Sequence, residues 1–148
     1  MRRVQKRGAD DEAIGRSRGG LSTKIHAAVD ALGNPLRFIL TPGQWHESKQ
    51  AEALITGFDF DKLLADKGYD NDRLRTVVAA QGAEAVIPSI GSRTQIIPHD
   101  SHVYKDRNLV ERFFNKIKHF RRIATRYDKT AASFAAMLSL VGAMIWLR

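Results

Sequence analysis

Strand-like runs and helix-like segments alternate along the chain, and their order limits the fold more than any other feature of the sequence. Apolar and polar residues alternate over residues 23–29, and a second apolar run covers residues 36–40 beyond a Gly-Asn-Pro turn, which predicts a β-hairpin. The elements predicted next are a helix over 46–58, a strand over 63–65, a helix over 71–82, a strand over 83–89, and helices over 106–122 and 131–147. This order, β-β-α-β-α-β-α-α, predicts an α/β fold with a mixed sheet and flanking helices.

The composition predicts one domain with a buried core. The chain has 148 residues, 43% of them apolar, and no cysteine, which excludes a disulfide framework and a cysteine-based zinc site. Residues 1–23 are basic and lack periodicity, so we expect a flexible arm or loop there and the folded domain over residues 24–148. No apolar run of a signal peptide follows the basic N-terminus. The apolar segment 131–147 is short for a membrane span, and a buried helix is predicted instead.

The formal charge of +8 is unevenly distributed. Residues 1–24 carry seven basic and three acidic side chains, residues 25–103 carry seven and ten, and residues 104–129 carry nine and three. Two basic segments therefore flank a mildly acidic body. Such a distribution favours a polyanionic partner such as nucleic acid, although solubility alone also accounts for a basic surface.

The segment YKDRNLVERFFNKIK combines an apolar helix face with a polar stripe. At about 100° per residue, Tyr104, Arg107, Glu111 and Lys118 fall within a stripe about 60° wide, provided that Tyr104 belongs to the helix. The stripe is either a solvated face with an ordinary Arg107–Glu111 pair or one working surface with a carboxylate among basic groups. Helical geometry does not choose between these interpretations.

Asp66 is a second carboxylate of interest, because it directly follows the short apolar run 63–65. Sites in α/β sheets tend to lie at the carboxyl ends of strands, although a loop or capping role is the commoner fate of an aspartate. Oxygen ligands from two elements, such as Asp66 and Glu111, suit Mg²⁺ or Mn²⁺. A pair of these ions about 4 Å apart activates a water or a 3′-hydroxyl at a phosphodiester.

These motifs resemble those of DDE-type insertion-sequence transposases of the IS-four and IS-five kind. The family signature is Tyr, two residues, Arg, three residues, Glu, six residues, Lys, and Tyr104, Arg107, Glu111 and Lys118 match every gap. The segment ADKGYD matches the Asp-x-Gly-Tyr context of the family's second carboxylate, with Asp66 as the aspartate. The hairpin region, from IGRSRGG onward, is also similar to that of the family.

The resemblance implies an RNase H-like fold and metal-dependent DNA cleavage and strand transfer in DNA transposition. Asp66 and Glu111 would be catalytic residues and ligands of Mg²⁺ or Mn²⁺, and Tyr104, Arg107 and Lys118 would bind transposon-end DNA. The implied partners are transposon-end and target DNA and further copies of the chain, with no membrane. The implied location is the bacterial cytoplasm, in association with the nucleoid.

One departure from the family pattern shapes the expectation. The family's first catalytic aspartate ends the first, central strand, upstream of a segment like IGRSRGG, yet only 13 residues precede Ile14 and no apolar run precedes Asp10 or Asp11. We therefore expect a truncated or frameshift-split domain that lacks this strand and is weakly active or inactive alone. The upstream transposase half would supply the missing aspartate and complete the two-metal site.

Three alternatives stay open at this point. In the first alternative, the chain is a non-catalytic DNA-binding regulator derived from a transposase. In the second, it is a metal-dependent nuclease without preference for transposon ends. A zinc site at His99 and His102 is a weaker rival, because no cysteines and no helical HExxH pattern accompany these histidines.

Overall fold

The computed structural model describes residues 12–18 and 20–148, without the side chains of residues 16 and 17. The strands in this part of the chain are β1 Gly15–Ser17, β2 Gly20–Val29, β3 Pro35–Pro42, β4 Lys62–Leu64 and β5 Glu84–Val86. The first three form an antiparallel sheet in the order β1-β2-β3, and β4 and β5 form a separate parallel pair.

The described helices are α1 Ala51–Ile55, α2 Asp72–Ala80, α3 Ser101–Tyr104, α4 Asn108–Lys118, α5 Arg121–Ala124 and α6 Ala131–Trp146. Short 3₁₀ turns lie at Glu47–Gln50, Lys67–Tyr69 and Lys105–Arg107. Asn71, Asp100 and Thr130 begin α2, α3 and α6, and each accepts a hydrogen bond from an amide of the first turn. These side chains satisfy amide groups that have no partner within the helix.

The hairpin of β2 and β3 lies between two apolar clusters, because successive side chains of a strand point to opposite faces. On one face, Ala28 and Ile39 pack against a cluster built mainly by α1 and α2, whose buried members are Ala51, Leu54, Ile55, Leu74, Val78 and Ile87. On the other face, the Phe38 ring stacks on Phe113 of α4 at 5.7 Å. The buried members of this second cluster are Phe113, Ile117, Ile123, Phe134, Leu138 and Val141. The hairpin is thus the middle layer between two groups of helices.

The α/β class and the order of the main elements that the sequence predicts are confirmed, but the single mixed sheet is not observed. β1 pairs with β2 only at residues 20–22, so residues 23–29 of β2 pair with β3 on one side and with no described strand on the other. β4 likewise pairs with β5 alone among the described strands. Two sheets with unpaired edges therefore stand where one sheet was predicted.

Two further findings concern sequence-based expectations at the ends of the chain. The strand β1 falls within residues 1–23, where an arm or loop was expected; residues 1–11 and 19 of that segment lie outside the described residues, including Asp10 and Asp11. The predicted C-terminal helix is present as α6, with Phe134, Leu138 and Val141 buried. Among the described residues, no helix is long and apolar enough to cross a membrane.

Candidate active site

Asp66 lies just beyond the end of β4, where it begins the 3₁₀ turn Lys67–Tyr69. Its Oδ1 accepts a hydrogen bond from the Gly68 amide at 2.8 Å, which is the capping role that aspartates commonly take. Its Oδ2 points elsewhere and contacts Arg107. One carboxylate therefore fixes the turn with one oxygen and presents the other to the site.

Arg107 joins the two carboxylates that the sequence singles out. Its Nη2 donates to Asp66 Oδ2 at 3.2 Å, and its Nη1 donates to Glu111 Oε1 at 2.6 Å. The Arg107–Glu111 contact is the i,i+4 pair expected on the helix. The contact with Asp66 spans 41 residues and brings the end of β4 to the start of α4, which the sequence pattern alone did not predict.

Tyr104 belongs to the same helical run, as the polar stripe requires. α3, the 3₁₀ turn Lys105–Arg107 and α4 follow one another without a break. Tyr104 is half-buried and lies at the wall of an open pocket of about 420 Å³. The residues that line this pocket are Glu47, Asp66, Lys67, Gly68, Pro88 and Tyr104. The pocket therefore has Asp66 on its wall and an aromatic ring beside it.

Glu47 is a third carboxylate near the site, and the sequence interpretation did not identify it. A Cβ atom added to Gly68 would lie 2.8 Å from Glu47 Oε2 and 3.0 Å from Asp66 Oδ1. A glycine at this position thus lets the two carboxylates approach the same point. Lys24 offsets part of this negative charge, with its Nζ 3.9 Å from Glu47 Oε1. The only sequence signal for Glu47 was its place near a predicted helix start.

Polar side chains in contact with one another connect the Asp66 turn to strands β2 and β3. The Tyr69 hydroxyl lies 3.4 Å from His26 Nδ1, and His26 Nε2 lies 2.8 Å from Thr41 Oγ1. Burial, followed by the positive charge of Lys24, lowers the pKa of His26. Burial, with the negative charges of Glu47 and Asp66, raises the pKa of Tyr69. Both groups are thus held neutral at pH 7, and they tie the turn to β2 and β3.

Asp70, four residues after Asp66, is the most strongly bound carboxylate of this region, and the sequence interpretation missed it. Its side chain is fully buried and accepts hydrogen bonds from Arg75 Nε at 2.7 Å, from Arg93 Nε and Nη2 at 2.9 and 2.8 Å, and from the Ile90 amide at 2.9 Å. Burial alone would raise the pKa of Asp70, but these hydrogen bonds outweigh burial and lower it. Asp70 therefore fastens the loop after β5 to the start of α2.

The remaining predicted residues are less connected. Lys118 is exposed, and its ammonium group contacts no acceptor in the described part of the chain. The ring of His99 packs edge-on against Tyr104 at 5.4 Å, so a packing role is observed for one of the two histidines of the zinc alternative. The stripe residues Tyr104, Arg107 and Glu111 lie near Asp66, whereas no contact between described residues links Lys118 directly to that cluster.

The described residues near the site include the kind of ligand that a divalent ion prefers, but too few of these ligands. Asp66 and Glu111 offer the hard oxygen donors that Mg²⁺ prefers, and both are partly exposed, at 36% and 58%. However, no group of three or more histidine, aspartate or glutamate side chains among residues 12–18 and 20–148 is arranged to hold a metal ion.

Partial burial lowers the pKa of Arg107, but the hydrogen bond to Glu111 and the neighbouring negative charges outweigh it and raise the pKa. Arg107 is thus a permanent cation at the carboxylate pair.

Comparison with known proteins identifies a matching family and similar proteins. The family model for the transposase DDE domain matches residues 3–146. A Brucella ovis protein assigned as the transposase of insertion sequence element IS6501 is 42% identical over 130 residues, which cover 86% of this chain and 100% of the relative. A Burkholderia cepacia protein assigned as the transposase of IS402 is 34% identical over 130 residues, which cover 80% of this chain and 59% of the relative. No solved structure matches the chain. The match over nearly all of its length and the insertion-sequence relatives confirm the resemblance noted in the sequence, and the chain belongs to the transposase DDE domain family.

Proposed function

We propose that this chain carries catalytic residues of an insertion-sequence transposase that cleaves and joins DNA at the ends of its element. The observation that carries the proposal is the meeting of Asp66 and Glu111, from two distant elements, on one arginine beside an open pocket. Both carboxylates and the arginine belong to the motifs that resemble the family signature. A structural salt bridge would need neither the pocket nor the match of every signature gap.

Asp66 and Glu111 would be catalytic residues and would hold Mg²⁺ or Mn²⁺. When bound, such ions activate a water or a 3′-hydroxyl and stabilise the leaving oxygen at a phosphodiester. The chain itself supplies the arrangement around them. Gly68 and the Asp66 cap fix one carboxylate, helix α4 fixes the other, and Tyr104 lines the pocket where a nucleotide would lie.

The donor set is completed, in this proposal, by an aspartate from outside the described residues. The unpaired edges of β2 and β4 support this idea, because an additional strand between them would convert two sheets into one mixed sheet. A sheet completed in this way would have the RNase H-like arrangement that the resemblance implies. The upstream transposase half is the proposed source of the strand and of the third carboxylate.

DNA is the proposed partner of the basic segments that flank the site. Lys118 is exposed and has no acidic partner among the described residues, so it is available for a phosphate contact. Tyr104 and Arg107 would contact the transposon end close to the scissile bond. Assembly of further copies of the chain on paired ends, at the nucleoid, completes the proposal.

A cleavage assay tests the proposed function. The substrate is a supercoiled plasmid that carries the complete element, incubated with Mg²⁺ and this chain, with and without the separately expressed upstream segment. We expect nicking at the element ends only when both parts are present, and none when Asp66→Ala replaces the wild type. Robust end cleavage by this chain alone would contradict the need for an added aspartate.

A non-catalytic DNA-binding regulator is the second candidate, and one observation favours it. Arg107 already offsets part of the negative charge of the two carboxylates, and no group of three acidic or histidine side chains among the described residues is arranged to hold a metal ion. A regulator would bind the element ends with equal affinity in the presence of Mg²⁺ or EDTA. It would also lower cleavage by the complete enzyme, and Asp66→Ala and Glu111→Ala would leave both properties unchanged.

A further inference from the structure

Helix α4 carries a second polar stripe, turned away from the Arg107–Glu111 pair. With Glu111 at zero and about 100° per residue, this stripe lies between about 40° and 140°, whereas the stripe that contains Arg107 and Glu111 is centred near 350°. Its members recur at intervals of three and four residues along the unbroken helical run from α3 to the C-terminal cap of α4. The basic stripe consists of Lys105, Asn108, Arg112, Asn115, Lys116 and His119.

Every member of the basic stripe can donate a hydrogen bond, and none is a carboxylate. All six residues are exposed, and none of their side chains has a hydrogen bond or an ion pair with another described residue. The carboxylates of the same basic segment lie elsewhere. Glu111 binds Arg107, Asp128 binds Arg122, and Asp106 lies at about 220° on another side of the helix. The positive charge of the basic stripe is therefore not offset by a neighbouring acid in the described part of the chain.

The apolar core fixes the direction in which the basic stripe points. Phe113 and Ile117, at about 200° and 240°, are each 1% exposed and belong to the second apolar cluster. Because the opposite side of α4 is held in this way, the basic stripe faces solvent as a straight row. At 1.5 Å per residue, the row from residue 105 to residue 119 is about 21 Å long. Duplex DNA of that length carries about six phosphates on each strand.

A solvated surface is the ordinary role of exposed charges on a helix, but the charges of the basic stripe differ from that pattern. Solvated faces usually carry both signs, often as opposite charges at i,i+4. Here Arg112 and Lys116 are like charges at that spacing, which disfavours the helix. A row of donors without acceptors is complementary to phosphate oxygens, which accept hydrogen bonds and carry negative charge. Charge and hydrogen-bonding capacity thus both favour a phosphate backbone as the partner.

We propose that the basic stripe is a second DNA-contacting surface, which binds the phosphate backbone of the duplex that flanks the cleaved site. The inference rests on the proposed function insofar as DNA is the partner, and it adds residues that neither the signature nor the pocket includes. The side of α4 that carries Arg107 and Lys118 contacts the end that is cut. The basic stripe, about 100° further round the helix, contacts the flanking duplex without regard to its sequence.

The test measures the DNA affinity of the whole chain at several salt concentrations, with a fluorescently labelled duplex whose sequence is unrelated to the element. The stripe variant combines Lys105→Gln, Arg112→Gln and Lys116→Gln. We expect the slope of log K against log salt to fall in magnitude by about 2.7, at about 0.9 for each lost phosphate contact. The matched control combines Lys49→Gln, Lys62→Gln and Arg73→Gln, which removes the same number of charges from exposed positions on other elements. Its slope should equal that of the wild type.

The outcomes separate the inference from the proposed function. A reduced slope in the stripe variant alone supports the inference. An unchanged slope overturns it, and so does an equal reduction in the control, because total charge then accounts for binding; the dependence of cleavage on Asp66 tests the proposed function separately. A reduction with a single strand but not with the duplex also overturns the inference.

DNA binding by the wild type that is too weak to measure overturns both the inference and the proposed DNA partner. Circular dichroism verifies that each variant is folded. If the triple variant does not fold, the three single variants decide the matter, since each should reduce the slope by about 0.9.

Discussion

Replacing Asp70 by asparagine should strongly destabilise the fold. The fully buried carboxylate accepts four hydrogen bonds, three from Arg75 and Arg93 and one from the Ile90 amide. Hydrogen bonds to charged groups contribute about 1.5–3 kcal/mol each, but the desolvation of the ions offsets much of the sum. Removing one partner of a buried ion pair costs about 3–5 kcal/mol in practice. For a chain of this size we expect the melting temperature to fall by roughly 10 °C.

The chain contains a matched control for this prediction. Asp72 accepts a hydrogen bond of 2.7 Å from the same Arg93, but its side chain is 85% exposed, whereas that of Asp70 is fully buried. Asp72→Asn should therefore change the free energy of unfolding by less than about 1 kcal/mol. Urea denaturation followed by circular dichroism measures both variants. If Asp70→Asn lowers the free energy of unfolding by no more than Asp72→Asn does, burial does not decide the strength of this ion pair and the reasoning is wrong.

Three further predictions concern pH, DNA and packing. The folded-state pKa of Asp70 is lowered, so the stabilisation by its carboxylate is complete above the unfolded pKa near 4 and is lost as the pH falls below that value. The difference in free energy of unfolding between wild type and Asp70→Asn, from urea melts, should be constant from pH 7 to 5 and shrink toward pH 2. A difference that grows on acidification would contradict the lowered pKa. Lys118→Gln should reduce the slope of log K against log salt for DNA binding by about 0.9, because one phosphate contact is lost. The control is Lys49→Gln, and an equal reduction by this variant would show that any lost positive charge lowers the slope, without a specific Lys118–phosphate contact. Gly142→Ala places a Cβ 3.2 Å from the Phe38 ring, and we expect overpacking of about 2 kcal/mol to outweigh the gain of about 1 kcal/mol in helix propensity within α6. Thermal melts should therefore show a net loss of about 1 kcal/mol, and a raised melting temperature would show that the α6–β3 contact adjusts freely.

The sequence could predict the elements because their signals are local. The hairpin follows from the alternation over residues 23–29 and the turn, and α6 follows from a long apolar run between polar ends. β1 carried no such signal, since Gly-Arg-Ser has neither alternation nor apolar residues. The division into two sheets also escaped prediction, because strand pairing depends on which edges meet and not on the strands' own residues.

The sequence singled out Asp66, Arg107 and Glu111 as candidates, but it did not predict the contact between Asp66 and Arg107, and it missed Glu47 and Asp70. Helical spacing placed Arg107 and Glu111 side by side, while metal-ligand chemistry and the resemblance paired Glu111 with Asp66. Asp66 was singled out because it directly follows the apolar run 63–65, but no local signal predicted that Asp70, in the same segment ADKGYD, would be enclosed by two arginines while Asp66 lines a pocket. That difference is set by the loop after β5, which is distant in sequence.

The central claim is that Asp66 and Glu111 act together as the carboxylates of DNA cleavage. The most direct measurement is the rate of end cleavage by the completed transposase with Asp66→Asn or Glu111→Gln, together with the affinity of each variant for the element ends. The account predicts that either change reduces cleavage at least about 100-fold, while DNA affinity stays within about twofold, because the charge lost is catalytic and not a phosphate contact. Cleavage at the wild-type rate by either variant would contradict it.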